Sequence, residues 1–203
     1  QRLFSSDTRY TTWRRLWLSL AKAEKAMGLD ISSSQIKALE DNVDSIDYDC
    51  VRERERKVRH DVMAHIYAYG KAAPEAAGII HLGATSCFVT DNADLVIYRD
   101  ALKLVRARLL SVCASLAAFA EKYKALPTLG YTHYQNAQPV TVGKRACLWL
   151  SDFISDLDEL DYVVSCMRFR GARGTTGTEA SFMELFDGDE EKVKKLDSLI
   201  AAE

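Results

Sequence analysis

Prolines are scarce in this 203-residue chain: Pro74, Pro127 and Pro139 are the only three. Glycine and proline are both missing from Ala84 to Leu126, and again from Lys144 to Arg170. Strands of ordinary length need turns far more often than that, so a protein built of short strands is excluded there. An excess of either charge is missing too: 27 basic residues against 29 acidic ones leave a formal net charge of −2. That excludes the broad basic footprint of a nucleic-acid binder, though a few local cations still suffice for a small anionic ligand. The longest uncharged apolar run, Leu109 to Ala120, falls well short of the roughly 20 residues that span a bilayer, so no membrane partner is expected. The opening QRLFSSDTRY has no signal-peptide core. No CxxC pair exists among Cys50, Cys87, Cys113, Cys147 and Cys166, so neither metal nor redox chemistry is indicated, and reduced, buried thiols in a cytoplasmic protein are expected.

What remains reads as helix. One long helix is predicted from the Thr90-Asp91-Asn92 cap signal to about Ala125. A second should follow Pro139, which suits a first turn, and end near Gly171. Shorter helices precede them. TTWRRLWLSLAKAEKAMG places Trp13, Leu16, Trp17, Leu20 and Ala21 at amphipathic spacing and stops at Gly28. SSSQIKALEDN gives a short second helix, and DYDCVRERERKVRHDVMAHIYAYG a third, or two in tandem. No strand signal of any length is present, so the fold class is mainly α. In the long helix Leu95, Val96, Ile97, Leu102, Leu104, Val105, Leu109, Leu110, Val112, Leu116 and Phe119 occupy more than one face. Such a helix must be surrounded, and the cover has to come from more chain, other subunits or both. The expected division is an N-terminal helical domain, 1–86, and the incomplete first part of a long-helix bundle, 87–203.

Four stretches near helix breaks could carry chemistry. In VRHDVMAH, His60 and His65 are five apart, about 140° around a helix, whereas a zinc-binding HExxH needs a spacing of four on one face. Asp61 and His65 have the spacing to pair, and a solvated charged face is the alternative. In HLGATSCFVTDNAD, Gly83 breaks a helix and Thr85-Ser86 offer hydroxyls and N–H groups ahead of the next one, a place for a carboxylate or phosphate or simply a cap. GYTHYQNAQPVTVGKR sets His133, one of only four histidines, among small polar residues. An imidazole titrates near neutral pH and suits proton transfer, although a lone histidine is more often structural. RFRGARGTTGTEASF lacks the Gly-Lys-Ser/Thr ending of a P-loop and reads by default as a flexible connector.

Together these stretches resemble one family. GATSCFVTDNADL and GYTHYQNAQPVTVGKR resemble the first two signature regions of the fumarase/aspartase superfamily. RHDVMAH, AAGIIHLGATS and MRFRGARGTTGTEASF are similar, within it, to the adenylosuccinate lyases of animal type. The resemblance covers essentially the whole chain, in order. It implies a cytoplasmic homotetramer with a central bundle of long helices and active sites built from three subunits. It also implies cleavage of adenylosuccinate to AMP and fumarate, and release of fumarate from the succinyl-carboxamide ribotide, with no metal or cofactor. By resemblance His133 is the general acid on the departing nitrogen, with Thr132 beside it. His60, flanked by Arg59 and Asp61, binds and orients substrate, Thr85 and Ser86 hold a succinyl carboxylate, and Lys144 is a supporting cation.

The sequence departs from the family's pattern in three ways. The family's general base is a serine on a Ser-Ser-x-Met-Pro loop, which this sequence lacks, so the chain is expected to be the N-terminal part of a longer enzyme and inactive by itself. Arg9-Tyr10 lies too near Trp13 to be the family's phosphate-binding Ser-Arg-Tyr. Asn136 stands where many relatives have proline. The competing expectations are a sister lyase, such as argininosuccinate lyase, and a non-catalytic helical assembly module.

Overall fold

Ser5 opens the first helix. Its hydroxyl accepts from the Thr8 N–H at 3.2 Å and Asp7 occupies the first turn, so both the orphan donors and the helix dipole are answered. The computed structural model describes residues 1–202. Helix α1 (Ser6–Ala26) ends ahead of Gly28, whose φ of +98° takes the left-handed conformation that closes a helix. Trp13, Leu16, Trp17, Leu20 and Ala21 are all buried, as their spacing predicts. Helix α2 (Ser33–Asp41) starts at a capping box between Ser32 and Gln35. The third predicted helix is two in tandem, α3 (Tyr48–Val58) and α4 (Asp61–Ala72), broken where Arg59 turns to φ +55°.

Helix α5 (Ser86–Lys122) is about 55 Å long at 1.5 Å per residue. It starts ahead of the Thr90-Asp91-Asn92 signal, because those residues do not cap. The Thr90 hydroxyl donates back to the Ser86 carbonyl, and the Asn92 amide donates to Phe88 at 2.8 Å and to Gly171 at 3.1 Å. Residues 127–141, where no strand is expected, form an antiparallel hairpin of β1 (Pro127–Thr132) and β2 (Gln135–Thr141). Pro139 pairs with Leu129 inside β2 rather than opening a helix. Helix α6 (Val142–Cys166) begins instead behind Thr141, whose hydroxyl accepts from the Lys144 N–H, and it stops short of Gly171. Helices α7 (Ala180–Leu185) and α8 (Glu190–Ala201) follow. With eight helices and one two-stranded sheet among the described residues, the protein is mainly α.

The chain divides into two compact units: Gln1–Ile97 with the chain from Arg168 onward, and Tyr98–Met167. The 1–86/87–203 division concerns the layout of the whole protein and stays a proposal. In the first unit Trp13, Trp17, Leu20, Leu39, Tyr69, Phe88, Phe182 and Leu196 are completely or almost completely buried. The Tyr69 hydroxyl donates to the Leu39 carbonyl at 2.8 Å inside this core. Tyr69→Phe removes this bond but leaves the carbonyl its other donor, the Asn42 N–H at 3.1 Å, and is expected to cost about 1 kcal/mol in urea unfolding; an unchanged midpoint would mean that the Asn42 bond alone satisfies the carbonyl.

In the second unit Arg106 and Asp161 join α5 to α6 through paired bonds of 2.6 and 2.9 Å. Both side chains are nearly half exposed, so this pair fixes register more than it stabilises. Gly143 carries no side chain where a Cβ would strike the Ala120 carbonyl and the Lys124 backbone, which lets α6 start against the end of α5. Leu104, Val105, Phe119, Leu148 and Trp149 remain exposed, Leu148 and Trp149 at 60% each. The thiols differ from expectation: Cys147 and Cys166, on the uncovered faces of α6, are exposed, and the other three are half-buried.

Candidate functional site

Three consecutive residues between α3 and α4 are shaped by the break itself. Arg59 is left-handed at φ +55°, and His60 is extended as the N-cap of α4. Asp61 opens the helix, where its carboxylate accepts from the Val62 N–H at 2.7 Å. All three side chains are exposed. His60 Nδ1 stands 3.5 Å from the Met63 N–H and 3.6 Å from Asp61 Oδ1. One nitrogen cannot both accept from Met63 and donate to Asp61, and at these lengths neither contact holds the ring firmly. The imidazole is therefore free to turn to a ligand. His60 precedes the helix, so the angular comparison with His65 does not apply. His65 does not pair with Asp61 either: it is buried, stacked on Tyr10 at 3.8 Å and edge-on to Trp13 at 5.3 Å. Burial first, then the Arg14 charge, pushes the His65 pKa down to about 4.

A second imidazole, which the sequence does not single out, is close enough for the His60 charge to act on it. His81 adopts φ +66°, and its Nδ1 accepts from the Trp17 indole N–H at 2.8 Å. Burial, and after it the nearby His60, pushes its pKa down to about 4. At neutral pH it is an uncharged ring. Two residues on, Gly83 takes φ +65°, where a Cβ would press into the Phe182 ring.

Thr85 and Ser86 stand at the start of α5. A cavity of about 260 Å³ beside Thr85 is lined by Gly83, Gly174, Thr175, Thr178 and Ser181. The Thr85 hydroxyl has no hydrogen-bond partner but is buried, so it is closed off from the cavity, whose lining also includes Glu179. The lining loop is not a flexible connector. The Gly171 carbonyl is held by Asn92, the Ala172 N–H donates to Asp197 at 2.8 Å, and Thr175 reaches Cys87 at 3.0 Å. Thus Arg59, His60, Asp61, Thr85 and Ser86 share the first unit with a histidine and a threonine-rich loop.

The remaining three predicted residues belong to the second unit. His133 and Tyr134, at φ +51° and +60°, are the two-residue turn of the hairpin, a mirror-image turn that suits the strand twist. The Thr132-His133 pair is at a hairpin tip, not at the mouth of a helix. Both side chains are exposed, so the imidazole is offered to whatever meets the tip. Lys144, in the first turn of α6, lies a whole strand from that tip, roughly 20 Å along the ribbon. The structure does not bring it to His133 within this unit. Gly130 is required by the hairpin, since a Cβ there would sit 2.7 Å from the Gln138 carbonyl.

Among the described residues no group of three or more His, Cys, Asp or Glu side chains could hold a metal ion. No helix there is long and apolar enough to cross a membrane.

The chain is similar to several known proteins. A family profile described as "Lyase" matches residues 7–197. Adenylosuccinate lyase of Schizosaccharomyces pombe is 52% identical over 202 residues, which cover 98% of this chain and 42% of that protein. Adenylosuccinate lyase of Caenorhabditis briggsae is 47% identical, again over 98% of this chain and 42% of the relative. Among solved structures, a fumarate lyase from Mesorhizobium sp. BNC1 superposes with a TM-score of 0.83 at 27% identity, over 99% of this chain and 46% of that one. The chain thus spans 42% of the length of these two curated relatives.

Proposed function

The chain belongs to this lyase family, and we propose that the whole protein is an adenylosuccinate lyase, cleaving adenylosuccinate to AMP and fumarate and the succinyl-carboxamide ribotide to the carboxamide ribotide and fumarate. The observation that carries the reading is the 52% identity to the Schizosaccharomyces pombe enzyme over 98% of this chain. The reaction breaks a carbon–nitrogen bond after loss of a proton beside a carboxylate. Negative charge spreads into that carboxylate, and the departing nitrogen needs a proton. His133 supplies that proton, with Thr132 beside it at the tip. Arg59, His60 and Asp61 orient the substrate, with the loosely held His60 ring free to meet it. Thr85 and Ser86, at the start of α5, hold a succinyl carboxylate, a role the family resemblance supports. The neutral His81 adds a donor. Lys144 acts at longer range, as a supporting cation. The group that takes the carbon-bound proton is, by the family resemblance, a serine in the rest of the protein.

The protein is proposed to act in the cytoplasm as a homotetramer. The exposed Leu104, Leu148 and Trp149 support this, since apolar faces of that size on long helices are what subunits bury in one another. Tetramerisation would bring His133 of one copy to the His60 and Thr85 regions of others. The test uses the whole protein and follows the absorbance of adenylosuccinate. The expected result is turnover of about one per second or more, with fumarate and AMP as products and no cleavage of argininosuccinate. Cleavage of argininosuccinate instead would make it a sister lyase, and tight adenylosuccinate binding without turnover would make it an assembly module.

A further inference from the structure

We propose that Trp17 is a positioning residue: its indole N–H fixes the proton of His81 on Nε2, so that this ring offers a permanent hydrogen-bond donor. The proposal rests on the reading of the His60 region as part of the substrate site.

An indole nitrogen can donate but not accept. At 2.8 Å from Nδ1, the Trp17 N–H can be satisfied only if that nitrogen is bare. The proton of the neutral ring must then be on Nε2. Trp17 has no freedom to leave the arrangement. It is fully buried, inclined to Tyr69 at 6.2 Å and perpendicular to the His81 ring at 5.9 Å. If His81 turned away, the indole N–H would be stranded in the core without a partner, which is costly. The bond therefore works in both directions: it selects the tautomer and it holds the ring in place.

The backbone points the same way. A histidine at φ +66° is uncommon, and such conformations persist where surrounding contacts over-determine them, often at sites that do chemistry. Here the over-determining contact comes from α1, 64 residues earlier in sequence. The titratable group whose charge acts on His81 is His60, and the hydrogen bond from α1 comes from a neutral indole. Protonating Nδ1 would set two donors against each other, so Trp17 works together with burial and His60 to keep the ring neutral. An ordinary histidine changes charge near neutral pH. This one is arranged to offer the same N–H across the working range. Among the described residues Nε2 has no hydrogen-bond partner of its own. Its ligand is an anionic oxygen of the substrate, in a carboxylate or a phosphate.

The experiment uses the full-length protein carrying ¹⁵N-labelled histidine, in wild-type form and as Trp17→Phe, which keeps a ring in the core but removes the N–H. In wild type the His81 shifts should report Nε2–H and stay constant from pH 5 to pH 9. In the variant they should report mixed tautomers that titrate closer to the ordinary value. The variant's kcat/KM should fall about tenfold at pH 7, the size of one misplaced hydrogen bond, with a smaller change in kcat. Protonation of the variant's ring restores a donor at Nε2, so the loss should shrink as pH falls, whereas wild-type activity shows no such dependence. A merely structural role would lower activity evenly and leave the pH profile in place. Inhibition by succinate and by AMP separates the two sources of anionic oxygen, because only the inhibitor that touches His81 should lose affinity in the variant. A wild-type spectrum showing Nδ1–H overturns the proposal, as does a folded Trp17→Phe protein with unchanged shifts and pH profile. If the variant does not fold, the wild-type tautomer decides alone. If the protein cleaves no adenylosuccinate, the functional reading fails while the nitrogen shifts still decide the role of Trp17.

Discussion

In the whole protein His133→Ala is expected to lower kcat by about 10²–10⁴-fold, the usual contribution of one positioned proton donor. KM should change far less, because the nitrogen needs its proton mainly as the bond breaks. The turn itself requires a control. His133 is left-handed at φ +51° in a two-residue loop, and alanine is less at ease there than histidine or asparagine. His133→Asn retains the turn preference and cannot supply the proton. Equal losses in both variants identify the proton, whereas recovery in His133→Asn identifies the turn. His65→Ala is the comparison from elsewhere in the fold. His65 is buried against Tyr10 and Trp13, so its loss should act through stability. Circular dichroism and melting curves establish first that each variant folds. Near-normal turnover in His133→Ala, with a folded but inactive His65→Ala, would make the loop histidine structural.

That His133 sits on a hairpin was not legible in the sequence, and the reason is physical. Strands announce themselves by apolar residues alternating over a buried face. In β1 and β2 most residues are exposed, so there is no buried face to pattern the sequence. The helices were legible because long stretches without glycine or proline have few other solutions. The start of α5 was misplaced because Thr90 and Asn92 look like caps until their side chains are seen returning to helix carbonyls. Arg59, His60, Asp61, Thr85 and Ser86 enter the proposal through the family resemblance, on motifs that bracket helix breaks. His81 does not, although AAGIIHLGATS contains it. Its flanking Ile80 and Leu82 read as ordinary core, and its defining partner, Trp17, is 64 residues away. Only the glycine two residues later hinted that the backbone there does something unusual. The threonine-rich loop was hidden for a similar reason. Its anchors, Asn92 and Asp197, are far from it in sequence, so composition alone made it look like a connector.

The Glu24 side chain gives the second large effect, and it concerns stability. Its residue is completely buried and neither carboxyl oxygen has a hydrogen-bond partner. Burial pushes its pKa up to about 9. The folded protein therefore holds a proton that the unfolded chain releases above its ordinary value of 4.5. Where the folded state binds more protons, stability falls as pH rises. The fall is about 1.4 kcal/mol per pH unit across the window from 4.5 to 9, and amounts to roughly 3 kcal/mol at pH 7. Glu24→Met keeps a long unbranched side chain of similar volume and removes the titration. The variant should be more stable than wild type, by a margin that widens by about 3 kcal/mol from pH 4 to pH 7. At pH 4 a smaller gain remains, because even a neutral carboxyl without partners is costly in a core. Urea unfolding followed by tryptophan fluorescence, on both proteins at several pH values, measures the margin. The comparison removes every other titrating group, since both proteins share them. A margin that does not change with pH would show that the carboxyl is not titrated by folding. A variant less stable than wild type at neutral pH would show that Glu24 is ionised and held by a partner, and the packing around α1 would have to be redrawn to admit one.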